Sequence, residues 1–141
     1  MKSLQNLVLS DKDKRLRESC EELNVKRISS EEQELIDQMM KYIDICYDDK
    51  DEEYGIRAGI ALAGPQVGLM KRVIYVHFKE DETEHKYLLA NPRITAHSLQ
   101  TACLHDGEGC LSVDDKHKGL VPRYKRIIVE AYDLLNKHKV K

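Results

Sequence analysis

The chain has 141 residues, enough for one domain with a single core but not for two. Lys and Arg total 23 against 25 Asp and Glu, so the formal net charge is −2 and nothing in the overall charge favours nucleic acid or an acidic membrane. With 41% hydrophobic and 34% charged residues the chain reads as soluble and globular.

The opening "MKSLQNLVLSDKDKRLRESC" lacks the apolar run of a signal peptide, and no later stretch approaches membrane-spanning length. A cytoplasmic location with no membrane partner and no specific nucleic acid is therefore expected. Cys20, Cys46, Cys103 and Cys110 show no paired spacing, so thiols or ligands are expected rather than disulfides.

The first clear element is "SSEEQELIDQMMKYIDICYDD". Ser29 and Glu32 form a capping box, and Leu35, Ile36, Met39, Met40, Ile43, Cys46 and Tyr47 fall on one helical face. This predicts an amphipathic helix whose methionines and Cys46 are core packing. A polar link, "DKDEEYGIR", leads into the small-residue stretch "AGIALAGPQVGL" and then into "KRVIYVHF", which is β-branched and aromatic enough for a strand. "KYLLANPRI" predicts a second strand, broken at Asn91-Pro92, and "GLVPRYKRIIVEAYDLL" two more strand stretches flanking Arg123 to Arg126. The last residues, "AYDLLNKHKVK", look like a hairpin without a closing element. No repeat or linker divides residues 1–141, so a single α+β domain is expected.

Two stretches hold candidate chemistry. Small residues at Gly59, Ala61, Ala63 and Gly64 allow a second backbone to approach, as a peptide- or phosphate-binding segment needs, although spacing alone favours a tight turn packed under a helix. No Gly-Lys-Ser/Thr follows, which excludes a phosphate loop, and Gln66 is the one side chain there able to orient a carbonyl. Cys110 lies in "DGEGCLSVDD" and reads three ways: a small buried hydrophobe, a soft ligand for zinc or ferrous iron, or a catalytic thiol for which the sequence assigns no histidine base. Cys103, His105 and Cys110 form a C-x-H-x4-C array that matches no common zinc spacing. His77, His85, His97, His117 and His138 are dispersed and read as surface or strand residues, and "KDKRLR" and "RYKR" as solvated faces.

"GIALAGPQ", residues 59 to 66, resembles the first signature of the peptide deformylases, G-x-G-x-A-A-x-Q, and "EGCLS", residues 108 to 112, matches their second. The order and separation fit, as do the preceding helix, the intervening strand and the "LVPR...VEAYD" pattern that follows. The resemblance covers nearly the whole chain and is closest to the longer deformylases of Gram-positive bacteria and their wall-less relatives. It implies a mixed α+β fold and hydrolysis of the formyl group from the initiator methionine of nascent proteins, near the ribosome. The implied cofactor is ferrous iron, replaceable by zinc or nickel, with Cys110 as a metal ligand. Gln66 and the backbone N–H of Leu111 would then bond the formyl oxygen, and Gly59, Ile60, Ala61 and Gly109 would line the path of the substrate backbone. Glu108 and Arg123 are expected to form a buried supporting pair, so that replacing Arg123 with alanine destabilises the fold.

The sequence departs from this family in three places. Ala61 stands for the second Gly of the first signature, and Gly64 for its second Ala, a change expected to loosen local packing. No H-E-x-x-H occurs, so the helix that supplies two histidine ligands and a general-base Glu in the family is not in this chain. The chain by itself is therefore expected to be inactive and not to retain metal, with the apolar faces of the strands and of helix 30 to 47 left exposed. An inactive deformylase-like remnant and a module that binds N-terminal peptides are the alternative readings.

Overall fold

The capping box forms as the sequence predicts. In a computed structural model that describes residues 3–113 and 119–141, the Ser29 hydroxyl accepts from the Glu32 N–H and the Glu32 carboxylate from the Ser29 N–H. Helix α1, Ser30–Tyr47, starts there. Its buried side chains are Ile36, Gln38, Met39, Tyr42, Ile43, Ile45 and Cys46, whereas Leu35, Met40 and Tyr47 are half-buried. The buried stripe is wider than predicted because Tyr42 and Ile45 also meet the core. The polar link after α1 is not wholly irregular, since Asp51–Tyr54 makes one helical turn, α2, closed by Gly55 in the left-handed region (φ 66°).

Among the described residues seven strands follow: β1, Ala61–Ala63; β2, Val73–Glu80; β3, Thr83–His97; β4, Thr101–Ala102; β5, Arg123–Tyr124; β6, Ile127–Asp133; and β7, His138–Val140. The main antiparallel sheet has the order β1-β2-β3-β6-β7, and β4 and β5 form a separate pair. Along β2, Val73, Tyr75 and His77 are buried at alternate positions, the period-two pattern of a strand with one face on the core. The 15-residue β3 runs through Asn91-Pro92 where the sequence predicted a break. The irregularity is absorbed by a bulge between Ala90 and Arg93, with Asn91 in the left-handed region at φ 54°. The Asn91 amide accepts from the Leu23 N–H at 2.8 Å and donates to the Leu23 carbonyl at 2.9 Å, which ties the N-terminal segment to the sheet.

Leu7, Leu23, Ile36, Met39, Ile43, Leu62, Val67, Val73 and Tyr75 make the centre of the core, between α1, β1, β2 and the N-terminal segment. Helix α1 is therefore covered, contrary to the expectation that its apolar face lies open, because the first residues of the chain and β2 close over it. The far end of the sheet does carry exposed apolar side chains: Ile94 on β3 and Ile127 and Ile128 on β6. Leu99, in the loop before β4, is 95% exposed. No helix among the described residues is long and apolar enough to cross a membrane.

Candidate active site

Residues 59 to 66 fold as the short edge strand β1 followed by a 3-10 turn, Gly64–Val67. The turn returns the Gln66 amide onto its own strand, where Oε1 accepts from the Ala63 N–H at 3.0 Å. That bond fixes which end of the amide faces outward. The Gln66 Nε2 group lies 3.2 Å from Ser112 Oγ and 3.7 Å from Cys110 Sγ, so the two sequence stretches meet at one point. Ser112 is buried, and its role as acceptor for Gln66 was not read from the sequence; its place as the last residue of "EGCLS", opposite an amide, was the available signal.

The N-terminal segment clamps the two stretches together. The Leu9 N–H donates to the Gln66 carbonyl and the Asp11 N–H to the Ser112 carbonyl, each at 2.7 Å. Residues 110 to 113 close a turn, with the Val113 N–H on the Cys110 carbonyl at 3.1 Å, and the Arg57 guanidinium donates to the Val113 carbonyl at 2.7 Å. Leu111 packs against the core from this turn.

Gly59, two residues before β1, is where the approach to that strand touches the turn. A Cβ there would stand 2.7 Å from Leu111 Cδ1 and 2.9 Å from its Cγ, so a side chain at 59 and the leucine at 111 exclude each other. Gly64 is buried, and a Cβ would meet the carbonyl oxygens of Leu69 and Lys71 at 2.7 Å. Gly64 thus permits close backbone packing, the reverse of the loosening expected for its departure from the family signature. Ile60 is exposed, Ala61 is half-buried, and Gly109 has open space around it. Strand β1 is an end member of the main sheet, and among the described residues no strand pairs with its outer side.

Glu108 and Arg123 do pair, through two hydrogen bonds of 3.0 and 2.6 Å. The pair is not buried as expected: the Arg123 side chain is 67% exposed and the Glu108 side chain 26%, because no described element covers that face. The guanidinium bonded to both oxygens holds the Glu108 carboxyl below the usual carboxylate range.

Cys110 is exposed, unlike Cys46, whose thiol burial pushes up. Among the described residues no group of three or more His, Cys, Asp or Glu could hold a metal ion, so Cys103, His105 and Cys110 do not gather into one. The described residues of this chain therefore do not by themselves fit the metal that the resemblance implies; one thiolate does not hold a divalent ion in a defined open site. His117, Asp114 and Asp115 lie outside the described residues.

A second cluster was read from the sequence only as a dispersed strand histidine. His77 is buried at 5% exposure, with Nδ1 2.8 Å from Asp44 Oδ1 and Nε2 2.6 Å from Glu84 Oε2. Its ring stacks on Tyr47 with centroids 3.7 Å apart and planes 7° from parallel. The Tyr75 hydroxyl donates to the same Asp44 oxygen at 2.5 Å, and burial together with that carboxylate raises its pKa. The bond to His77 holds the Glu84 carboxyl below its usual range. The alternation Val73, Tyr75, His77 was the signal that this histidine faces the core.

Comparison with known proteins bears on the family of the chain. A model of the polypeptide deformylase family matches residues 6–141. The chain is 45% identical to a peptide deformylase of Ureaplasma parvum over 121 residues, covering 86% of this chain and 61% of that protein. It is 39% identical to one of Listeria welshimeri over 108 residues, covering 75% of this chain and 59% of that protein. Thus the chain spans about 61% of the length of the first of these relatives. Among solved structures, a probable peptide deformylase from synechococcus phage S-SSM7 aligns with a TM-score of 0.68 at 34% identity, over 95% of this chain and 82% of that one. Peptide deformylase from Ehrlichia chaffeensis aligns with a TM-score of 0.70 at 25% identity, over 94% of this chain and 70% of that one. The mixed α+β fold, the two meeting signature stretches and these likenesses together make the chain a member of the polypeptide deformylase family.

Proposed function

We propose that this chain supplies the peptide-binding side of a peptide deformylase, the metal-dependent hydrolase that removes the formyl group from the initiator methionine of nascent proteins. The observation that carries the reading is the Gln66 amide, locked by Ala63 so that its NH2 faces Cys110 Sγ and Ser112 Oγ beside the open edge of β1. A formylated N-terminus lies along Gly59, Ile60 and Ala61 as an added strand, with Gly109 on its other side, where open space leaves room for a backbone.

In that position the formyl oxygen takes a hydrogen bond from Gln66 Nε2 and one from the Leu111 N–H. The Gln66 donor is held by its bond to Ala63 before the carbonyl carbon becomes tetrahedral, so with Leu111 it stabilises the negative charge as it develops on oxygen. Cys110 offers one soft donor toward iron, zinc or nickel, while Glu108 and Arg123 steady the loop that presents it. The substrate is made by ribosomes, which sets the site of action in the cytoplasm.

Calorimetric titration with formyl-Met-Ala and with Met-Ala tests this function. The formylated peptide binds more tightly, and Gln66→Ala removes the difference. Equal affinities in the parent chain contradict the reading.

A further inference from the structure

We propose that His77 is a positioning residue: its imidazole, clamped between Asp44 and Glu84, holds β2 against the end of α1 and so fixes the backbone edge at Gly59–Ala61. The role of that edge in taking up peptide rests on the function proposed above; the clamp itself does not. Strand β1 has three residues and, among the described residues, pairs only with β2, Ala61 with Val76, Leu62 with Tyr75 and Ala63 with Ile74. Just before it, the His77 N–H donates to the Ile60 carbonyl at 2.9 Å. Upstream, the Arg57 carbonyl accepts from the Tyr42 hydroxyl at 2.8 Å and lies 3.7 Å from the Cys46 thiol. The approach to β1 is therefore placed by two bodies, the last turns of α1 and the end of β2, and its geometry depends on their being fixed to each other.

The His77 cluster makes that connection. Asp44 and Tyr47 come from α1, Tyr75 and His77 from β2, and Glu84 from β3 across the hairpin. One carboxylate oxygen, Asp44 Oδ1, meets both the Tyr75 hydroxyl and His77 Nδ1, while Glu84 meets the other ring nitrogen and Tyr47 covers the ring face. Both ring nitrogens are buried and need partners, and the partners they have lie on α1 and β3, so the contacts that burial requires are the ones that join those elements to β2. A cleft of about 330 Å³ is lined both by the cluster, through Tyr47 and His77, and by the edge, through Gly59 and Ile60, and the link between them is the bond from the His77 N–H to the Ile60 carbonyl.

The test is amide hydrogen exchange with peptide affinity measured in parallel, on the full chain, for His77→Phe and Glu84→Gln. Phenylalanine keeps the stack on Tyr47 but removes both polar contacts; the Glu84 change, at a half-exposed side chain, leaves the fold intact and weakens one of them. Leu88→Ala, in the core of β3, serves as a control for loss of overall stability. Exchange at the His77 amide, bonded to Ile60, is expected to rise at least about 10-fold in His77→Phe, and less in Glu84→Gln, with amides of β6 unchanged. The Leu88→Ala control should not show this local pattern, and affinity for formyl-Met-Ala should fall in step with the exchange. Unchanged exchange at His77 in both variants overturns the positioning role. If the parent chain binds no formyl-Met-Ala, the proposed function fails, and the exchange result still decides the role of His77.

Discussion

Gly59 and Leu111 occupy space that only one side chain can fill, since a Cβ on Gly59 would lie 2.7 Å from Leu111 Cδ1. The edge strand and the Cys110 turn are brought to contact distance by the absence of a methyl group. Gly59→Ala is expected to cost about 1–3 kcal/mol through overpacking. Thermal unfolding of Gly59→Ala, Leu111→Ala and the double variant checks this: the double variant recovers part of the loss, because removing the leucine makes room for the new methyl. Strictly additive losses contradict the contact.

Gly64→Ala restores a residue of the family signature yet is expected to destabilise this chain. The added Cβ meets the backbone oxygens of Leu69 and Lys71 at 2.7 Å, and backbone yields less easily than a side-chain tip. A loss of about 1–3 kcal/mol in urea unfolding is predicted. A variant as stable as the parent shows that the turn relaxes freely.

Gln66→Ala removes the partner of the buried Ser112 hydroxyl and of the Ala63 N–H together. Stranding these groups is expected to cost about 1–3 kcal/mol. Gln66→Glu keeps the acceptor for Ala63 but puts a carboxylate where the NH2 stood, so it should retain more stability than alanine yet lose peptide affinity. Denaturant curves with peptide titration separate the two effects.

The Glu108 carboxyl titrates at lower pH in the folded protein than in the unfolded chain, because Arg123 binds its charged form. A depressed folded pKa means that the pair contributes above the ordinary carboxylate pKa and loses that contribution as pH falls through the folded value. The Glu108 carboxyl resonance should therefore titrate at lower pH in the parent than in Arg123→Ala, and the gap should narrow in concentrated salt, as expected for exposed charges. The melting temperature should change little, since Arg123 lies on the surface; coincident titration curves contradict the pairing.

The sequence carried those features that neighbours along the chain determine. The Ser29–Glu32 capping box, the β-branched run of β2 and the final hairpin each follow from a few adjacent residues. Features set by distant contacts were not legible. Strand β3 survives Asn91-Pro92 because the Asn91 side chain bonds the backbone of Leu23, 68 residues away. The N-terminal segment clamps Gln66 and Ser112 through its own backbone, which leaves no pattern in residue type. His77 looked like an isolated histidine because Asp44 lies 33 residues off. Within the site, Gln66 and Cys110 stood out from their neighbours and took their roles from the family resemblance, whereas the Gln66–Ser112 contact and the exposure of the Glu108–Arg123 pair are set by the fold.

In the function proposed above, Gln66, Leu111 and the β1 edge together receive a formylated N-terminus. The most direct measurement is a nitrogen-edited NMR titration of the 141-residue chain with formyl-Met-Ala, using Met-Ala as control. Shifts are expected to concentrate at the backbone amides of residues 59 to 61, the Gln66 side-chain NH2 and the Leu111 N–H, all stronger with the formylated peptide. Shifts confined to other surfaces, or the same pattern with both peptides, would contradict it.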